Sequence, residues 1–173
     1  MRKYISLVGD IMKTLYIIRH AKSSWRDIST DDFDRPLRQR GKNDALLMAN
    51  KLLEFGISPD FIISSPSKRT KCTVDIITTQ IKYNKEIEYN NKIYESNMLS
   101  LKNIIKNIDN QYNVVFLFGH NPGLNMLAED LCGFVKNIAT TGIIGIRFNI
   151  NSWSDISNRN SVFLEYIYPK KYK

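Results

Sequence analysis

The run Val114-Val115-Phe116-Leu117-Phe118 is apolar at every position. A strand of that kind must be covered on both faces, as a central parallel strand of an α/β sheet is. It ends at Gly119-His120-Asn121-Pro122. A helical pattern follows at once from Gly123 to Leu131, with Leu124, Leu127, Ala128 and Leu131 on one side. The same alternation recurs along the chain. Leu15 to Ile18 reads as a strand. Lys42 to Phe55 reads as a helix, with Ala45, Met48, Ala49 and Leu52 inward and Gly56 as its stop. A strand from Phe61 to Ser64 precedes a helix from Ser67 to Ile81, opened after Pro66. A short extended piece follows at Ile87 to Tyr89. The helix from Ser100 to Ile108 carries the stripe Leu101, Ile104, Ile105, Ile108.

Two closing strands, about Ile143 to Ile150 and Val162 to Tyr168, are joined by a loop and imply some antiparallel pairing. The alternation of Ile144, Ile146, Phe148 and Ile150 suits a strand with one wetter face. The expected architecture is α/β: a three-layer α/β/α sandwich with a mostly parallel central sheet and late antiparallel strands.

The length of 173 residues suits one domain, expected over residues 12–168, with residues 1–11 as a possible N-terminal extension. Met12-Lys13-Thr14 would make a natural start just before the first strand. The opening stretch lacks the apolar core of a secretory signal, and no apolar run reaches membrane-spanning length. No membrane partner is expected. Cys72 and Cys132 are isolated, fall in predicted helices, and read as small buried hydrophobes in a reducing, cytoplasmic compartment. The net charge of +8 favours acidic partners in general. Basic residues are scattered apart from the tail Pro169-Lys170-Lys171-Tyr172-Lys173, read as a solvated end. A nucleic-acid binder needs a clustered positive face with interleaved aromatics, so no nucleic-acid partner is expected.

His20 and His120 are the only histidines, and each stands where a predicted strand ends. In open α/β sheets ligands collect beyond the carboxyl ends of strands. Arg19 precedes His20, and a guanidinium fits phosphate oxygens with a planar fork of donors. A neutral imidazole can attack phosphorus and hold the phosphoryl group covalently. Neighbours on a regular strand point to opposite faces, so both can serve one site only where a loop re-aims them. The polar run Lys22-Ser23-Ser24 agrees with such a loop.

Arg69 lies in the first turn after Ser64-Ser65-Pro66-Ser67. It shares the spacing of Cys72, Thr73 and Ile76, a stripe that faces the sheet. An inward arginine needs an anionic partner, either a bound phosphate or a structural carboxylate. In Gly119-His120-Asn121-Pro122-Gly123 the helix start favours an anion, and a charged His120 would add a donor to a phosphoryl oxygen. Glu95 lies in an irregular stretch before a helix, where a carboxyl group could protonate a leaving oxygen and then activate water. A metal site built from the two histidines and a carboxylate is disfavoured, because two flanking arginines would repel a divalent cation.

The segment from Leu15 through Arg19-His20-Ala21-Lys22-Ser23-Ser24-Trp25 resembles the signature of the histidine phosphatase superfamily, in its SixA-type phosphohistidine phosphatase branch. So do Asp32-Phe33-Asp34-Arg35-Pro36-Leu37 with Arg40-Gly41, then Ser64-Ser65-Pro66 with Arg69, and Gly119-His120-Asn121-Pro122-Gly123. The motifs run in order from about Met12 to Tyr168. The resemblance implies a phosphoglycerate-mutase-like fold, His20 as a nucleophile that becomes phosphorylated, and Arg19, Arg69 and His120 as its phosphate pocket. It puts Glu95 near the acid/base carboxylate of phosphoglycerate-mutase-like relatives, for which the SixA-type branch has no firm equivalent. Ser23, Arg26 and Asn121, beside these residues, are expected to contact substrate. Arg26 stands after Trp25 where mutase relatives have a phosphate-contacting asparagine. The resemblance implies no metal and no organic cofactor.

The expected partner is a phosphorylated protein, carrying phosphohistidine, or a small phosphate ester. Short connections between the motifs leave little chain for a lid. The rival readings are a small-molecule phosphatase and a non-catalytic phosphate-binding module of the same fold.

Overall fold

The computed structural model describes residues 12–25 and 29–173; residues 1–11 and Arg26 lie outside the described residues. In chain order the elements are β1 (Met12–Arg19), α1 (Gln39–Glu54), β2 (Phe61–Ser64), α2 (Lys68–Gln80), β3 (Ile87–Tyr89), α3 (Met98–Lys106), β4 (Val114–Gly119), α4 (Gly123–Cys132), β5 (Ile143–Asn149) and β6 (Ser161–Ile167). The sheet order is β3-β2-β4-β1-β5-β6. Strand β4 runs parallel to both neighbours, β1 and β2, and β3 runs parallel to β2. Strand β5 is antiparallel to β1, and β6 to β5.

Alternation along the strands divides the core into two layers. Tyr16, Ile18, Ile62, Phe116 and Phe118 pack with Met48, Leu52, Val74 and Ile77 of α1 and α2. Their neighbours Leu15, Ile17, Ile63, Val115 and Leu117 pack with Leu101, Ile105, Leu124 and Leu127 of α3 and α4. Each such side chain, taken fully out of water, contributes about 1.5–3 kcal/mol. The three-layer α/β/α arrangement follows from covering both faces of this sheet.

Several boundaries differ from the sequence reading. Strand β1 already includes Met12 and Lys13. The fully buried Lys13 ammonium donates to Asn110 O (2.5 Å), Tyr112 O (3.0 Å) and Asn113 Oδ1 (3.0 Å), so a charged residue is accommodated inside a core strand. Helix α1 starts before Gly41 rather than after it. A Cβ at Gly41 would fall 2.3 Å from the Lys22 carbonyl oxygen, so glycine lets the helix back onto the loop after β1. Helix α3 begins early because the Asn97 side chain accepts from Ser100 N at 2.9 Å.

The inner stripe of α2 is Arg69, Thr70, Thr73, Val74 and Ile77. Cys72 and Ile76 are only half-buried, packed at the flank against Ala21, Leu37 and Ala45. Cys132 is also half-buried, not the interior hydrophobe expected. The wetter face of β5 is confined to Arg147 and Asn149, since Ile143 joins the layer under α1 and α2 and Gly145 abuts Tyr16. The basic tail is not simply solvated. Pro169–Tyr172 forms a short 3-10 turn, Tyr172 lies under Lys51, and Lys173 ion-pairs with Asp44 of α1.

Candidate active site

Strands β1, β2 and β4 end together, with Arg19 opposite Gly119 and Ser64 opposite Phe118. Beyond their carboxyl ends lies a cavity of about 560 Å³ whose wall includes Arg19, His20, Arg69, His120, Asp32 and Arg35. The turn that leaves β1 is held from three directions. His20 N donates to Gly119 O (3.2 Å), Thr141 N donates to Arg19 O (3.1 Å), and Ala21 N donates to Thr73 Oγ1 (2.9 Å) of α2. Arg19 is the last residue of the strand and His20 the first outside it, which is how both come to face one cavity.

The two imidazoles stand with ring centroids 5.0 Å apart. His20 Nδ1 donates to the Ala21 carbonyl at 2.8 Å, which leaves Nε2 with a free lone pair. Burial drives the His20 pKa down to about 3; the Ala21 hydrogen bond resists this, and His120, Arg69 and Arg19 reinforce it. Burial, then Arg69, brings His120 to about 3 as well. Both rings are therefore neutral near pH 7 in the free protein, and the charged His120 of the sequence reading would need a bound anion to draw its proton. Arg69 Nη2 lies 3.3 Å from His120 Nδ1, and a guanidinium only donates, so Nδ1 accepts. His120 Nε2 then carries the proton and donates to Ser65 Oγ at 2.7 Å.

Arg69 is almost fully buried and donates to Asp32 twice, to the backbone oxygen and to Oδ2 (2.9 Å). Tyr94 Oη donates to the same Oδ2 at 2.8 Å, and Arg35 Nε stands 3.0 Å from Oδ1. Burial raises the Asp32 carboxyl, but the Tyr94 hydrogen bond and Arg69 outweigh it and hold it below its ordinary value. Tyr94 is pushed up to about 12 by burial and by Asp32. Arg35 stacks its guanidinium 3.4 Å over the Trp25 ring, and its Nη1 is buried without a hydrogen-bond partner among the described residues. Arg19 Nη1 donates to Ile138 O at 2.6 Å, while Arg19 Nε and Arg69 Nε likewise lack acceptors there.

Arg19, His20, Arg69 and His120 thus share one cavity, as the sequence reading expected. Ser23 also lines it and is buried, with its backbone bridged to Leu37. Asn121 lines it too, but its Nδ2 donates to Asn137 Oδ1 (2.9 Å) and Ile138 O (3.1 Å). The amide nitrogen is thereby engaged in holding the following loop rather than a ligand. Glu95 is exposed at the wall, in a left-handed conformation with φ 51°. Its loop lies directly on α4, where a Cβ at Gly123 would fall 2.2 Å from Ser96 O.

Asp32, Arg35, Tyr94 and Ser65 were not among the expected site residues. The signal for two of them was present: Asp32 and Arg35 stand at i and i+3 around a 3-10 turn, a spacing that lets opposite charges meet. Tyr94 and Ser65 carry no such pattern.

The shifts of the two histidines predict a simple titration. Their Cε1–H resonances, the only two of that kind from this chain, should not move between pH 5 and 8 in the free protein. Tungstate or phosphate in the cavity should raise at least one of the two pKa values, because an anion stabilises imidazolium. Between about 3 and the unfolded value of 6.5 the unfolded chain binds more protons than the native one, so stability falls as pH falls through that window. Proton NMR and thermal melts against pH check both. A histidine titrating near 6.5 in the free protein would contradict the burial argument.

Comparison with known proteins agrees with this geometry. A chloroplastic, uncharacterized protein of Arabidopsis thaliana is 30% identical over 154 residues, covering 84% of this chain and 71% of its own. The structure of the protein histidine phosphatase SixA complexed with tungstate superposes with a TM-score of 0.79 at 19% identity, covering 92% of this chain and 99% of its own. A putative SixA from Agrobacterium tumefaciens gives 0.77 at 22% identity, covering 90% and 97%. At these identities the structural likeness is one of fold: a phosphoglycerate-mutase-like, SixA-type sandwich. Residues 15–125, which span Arg19-His20, Arg69 and His120, match the family model of the histidine phosphatase superfamily (branch 1). With that match over most of the chain, and a 30% identical relative beside it, the chain belongs to the histidine phosphatase superfamily.

Proposed function

We propose that this protein is a cofactor-independent phosphatase that works through a phosphohistidine at His20, and that its substrate class is phosphohistidine in proteins. The observation that carries this reading is the state of His20: a neutral ring, tied at Nδ1 to Ala21 O and, among the described residues, unbonded at Nε2, in a cavity whose wall includes the guanidiniums of Arg19, Arg35 and Arg69. In the first step Nε2 attacks phosphorus and the bond from phosphorus to the leaving group breaks. Arg19 and Arg69 bear on the equatorial oxygens, and His120 joins them once the anion draws a proton onto Nδ1. Water then attacks the phosphoryl group, releasing phosphate and restoring neutral His20.

The leaving group argues for phosphohistidine over an ester. An alkoxide needs a proton from a placed acid. Asp32 is held ionised by Tyr94 and Arg69, and Glu95 stands exposed to solvent. An imidazole leaving group, once protonated from solvent, departs without such help. The SixA neighbours, a protein histidine phosphatase and a putative phosphohistidine phosphatase, are in keeping with this choice. The free, half-buried Cys72 and Cys132 are in keeping with a cytoplasmic setting, and the single six-stranded sheet is in keeping with one catalytic unit over residues 12–168.

Trapping the intermediate tests the mechanism. Incubation with a labelled phosphodonor and an alkaline quench should leave an acid-labile, alkali-stable label on His20. Label on a serine, or turnover with no label on His20, would refute it.

A further inference from the structure

Beside the catalytic cavity lies a second one of about 320 Å³, and Thr140 lines both. The wall between them is the loop from Lys136 to Gly142. That loop is clamped to the active site: Ile138 O accepts from Arg19 Nη1 (2.6 Å) and from Asn121 Nδ2 (3.1 Å), and Ala139 N donates to Tyr166 Oη (2.9 Å). The second cavity is therefore fixed relative to the phosphoryl position.

Among the described residues its charged lining is Arg40, Lys136 and Lys170 against one carboxylate, Asp44. These cations are far apart in sequence and meet only in the fold. Asp44 is already engaged by Arg40 and by Lys173. Lys136 and Lys170 are exposed and have no ion-pair partner among the described residues. The surplus is positive, and it adjoins the site of chemistry. A single-stranded nucleic acid would need open aromatic faces for its bases. The cavity's two tyrosines, Tyr166 and Tyr168, stack on each other at 4.8 Å and Phe134 packs on Tyr166 at 4.9 Å, which leaves at most one ring face, that of Tyr168, for a base.

We infer that this second cavity docks an acidic stretch of polypeptide flanking the phosphorylated residue of a protein substrate. The inference rests on the phosphatase reading above and adds the character of the partner. Carboxylates of the substrate meet Lys136 and Lys170 while the phosphoryl group enters between Arg19 and Arg69. Exposed charge pairs of this kind act mainly on encounter and ground-state binding, so the effect belongs in KM and weakens with salt.

The experiment compares phosphohistidine peptides with glutamate or glutamine flanks, and p-nitrophenyl phosphate, on the wild type and on a Lys136→Glu/Lys170→Glu variant. The wild type should prefer the glutamate-flanked peptide about tenfold, through KM, and lose the preference at about 0.5 M salt. The variant should lose the preference and keep hydrolysis of p-nitrophenyl phosphate within about twofold. Equal use of both peptides by the wild type would overturn the inference. So would an equal loss on p-nitrophenyl phosphate, or inhibition by oligo-dT at lower concentration than by the acidic peptide. Anisotropy with the unphosphorylated glutamate-flanked peptide reads docking without turnover: weaker binding to the variant supports the inference, and equal binding refutes it. Absence of hydrolysis of both phosphohistidine peptides and of p-nitrophenyl phosphate by the wild type would count against the phosphatase reading instead.

Discussion

Replacing His20 with alanine is expected to cut turnover about 10⁴-fold or more, because its imidazole is the proposed nucleophile. His120 is the one other imidazole, and its Nδ1 faces Arg69 while its Nε2 is committed to Ser65. Phosphate binding should largely survive, since Arg19, Arg35 and Arg69 remain. The fold should survive as well. Among the described residues the His20 side chain makes one hydrogen bond, to the adjacent carbonyl, and the turn around it is pinned through its own backbone atoms. The variant should also lose part of the acid sensitivity of the wild type, because a buried neutral imidazole no longer resists protonation. Steady-state rates, tungstate binding and melts at pH 5 and 7 check these three outcomes. A variant that keeps a tenth of wild-type turnover would end the nucleophile assignment.

Arg69→Ala has the second largest expected effect, a loss of ~10²–10³ in rate. Arg69 touches two other groups of the site, Asp32 and His120, so its removal is felt at both. Its positive charge lowers both pKa values, and in the variant both should rise. NMR titration of His120 separates this effect from a general loss of structure. Because the Asp32 side chain is 39% exposed, the ion pair contributes only about 1 kcal/mol after solvent screening. The variant should therefore fold. Arg69→Lys should recover little activity, since an ammonium cannot reach the Asp32 backbone oxygen, Oδ2 and a ligand from one planar fork. Wild-type rates in Arg69→Ala would remove it from the mechanism.

The parts of this protein that were legible in the sequence are those written in short-range pattern. The doubly apolar run at Val114 to Phe118 identified the central strand β4, and the stripe of α4 followed it. Strand ends then placed His20 and His120 at one edge of the sheet. What was not legible depends on packing between distant segments. The expected helix began at Lys42, yet α1 already contains Gly41, because the Lys22 backbone presses there. The protonation of His120 depends on its burial and on Arg69, neither of which has a signature in its own neighbourhood. The question of whether Arg69 meets a carboxylate or a phosphate resolved into Asp32, contributed by a turn 37 residues earlier. The basic tail returned to α1 through Asp44, a contact between residues 129 apart.

Asp32 bears on how a catalytic cycle closes. An almost fully buried arginine stripped of its anion is costly, and a site built only of cations would cling to phosphate. Here a resident carboxylate waits beside Arg69 and Arg35. On the proposed reaction each departing oxyanion is replaced by an internal one, so emptying the pocket leaves no bare guanidinium behind, and the side chain that competes with substrate on entry speeds the product on its way out.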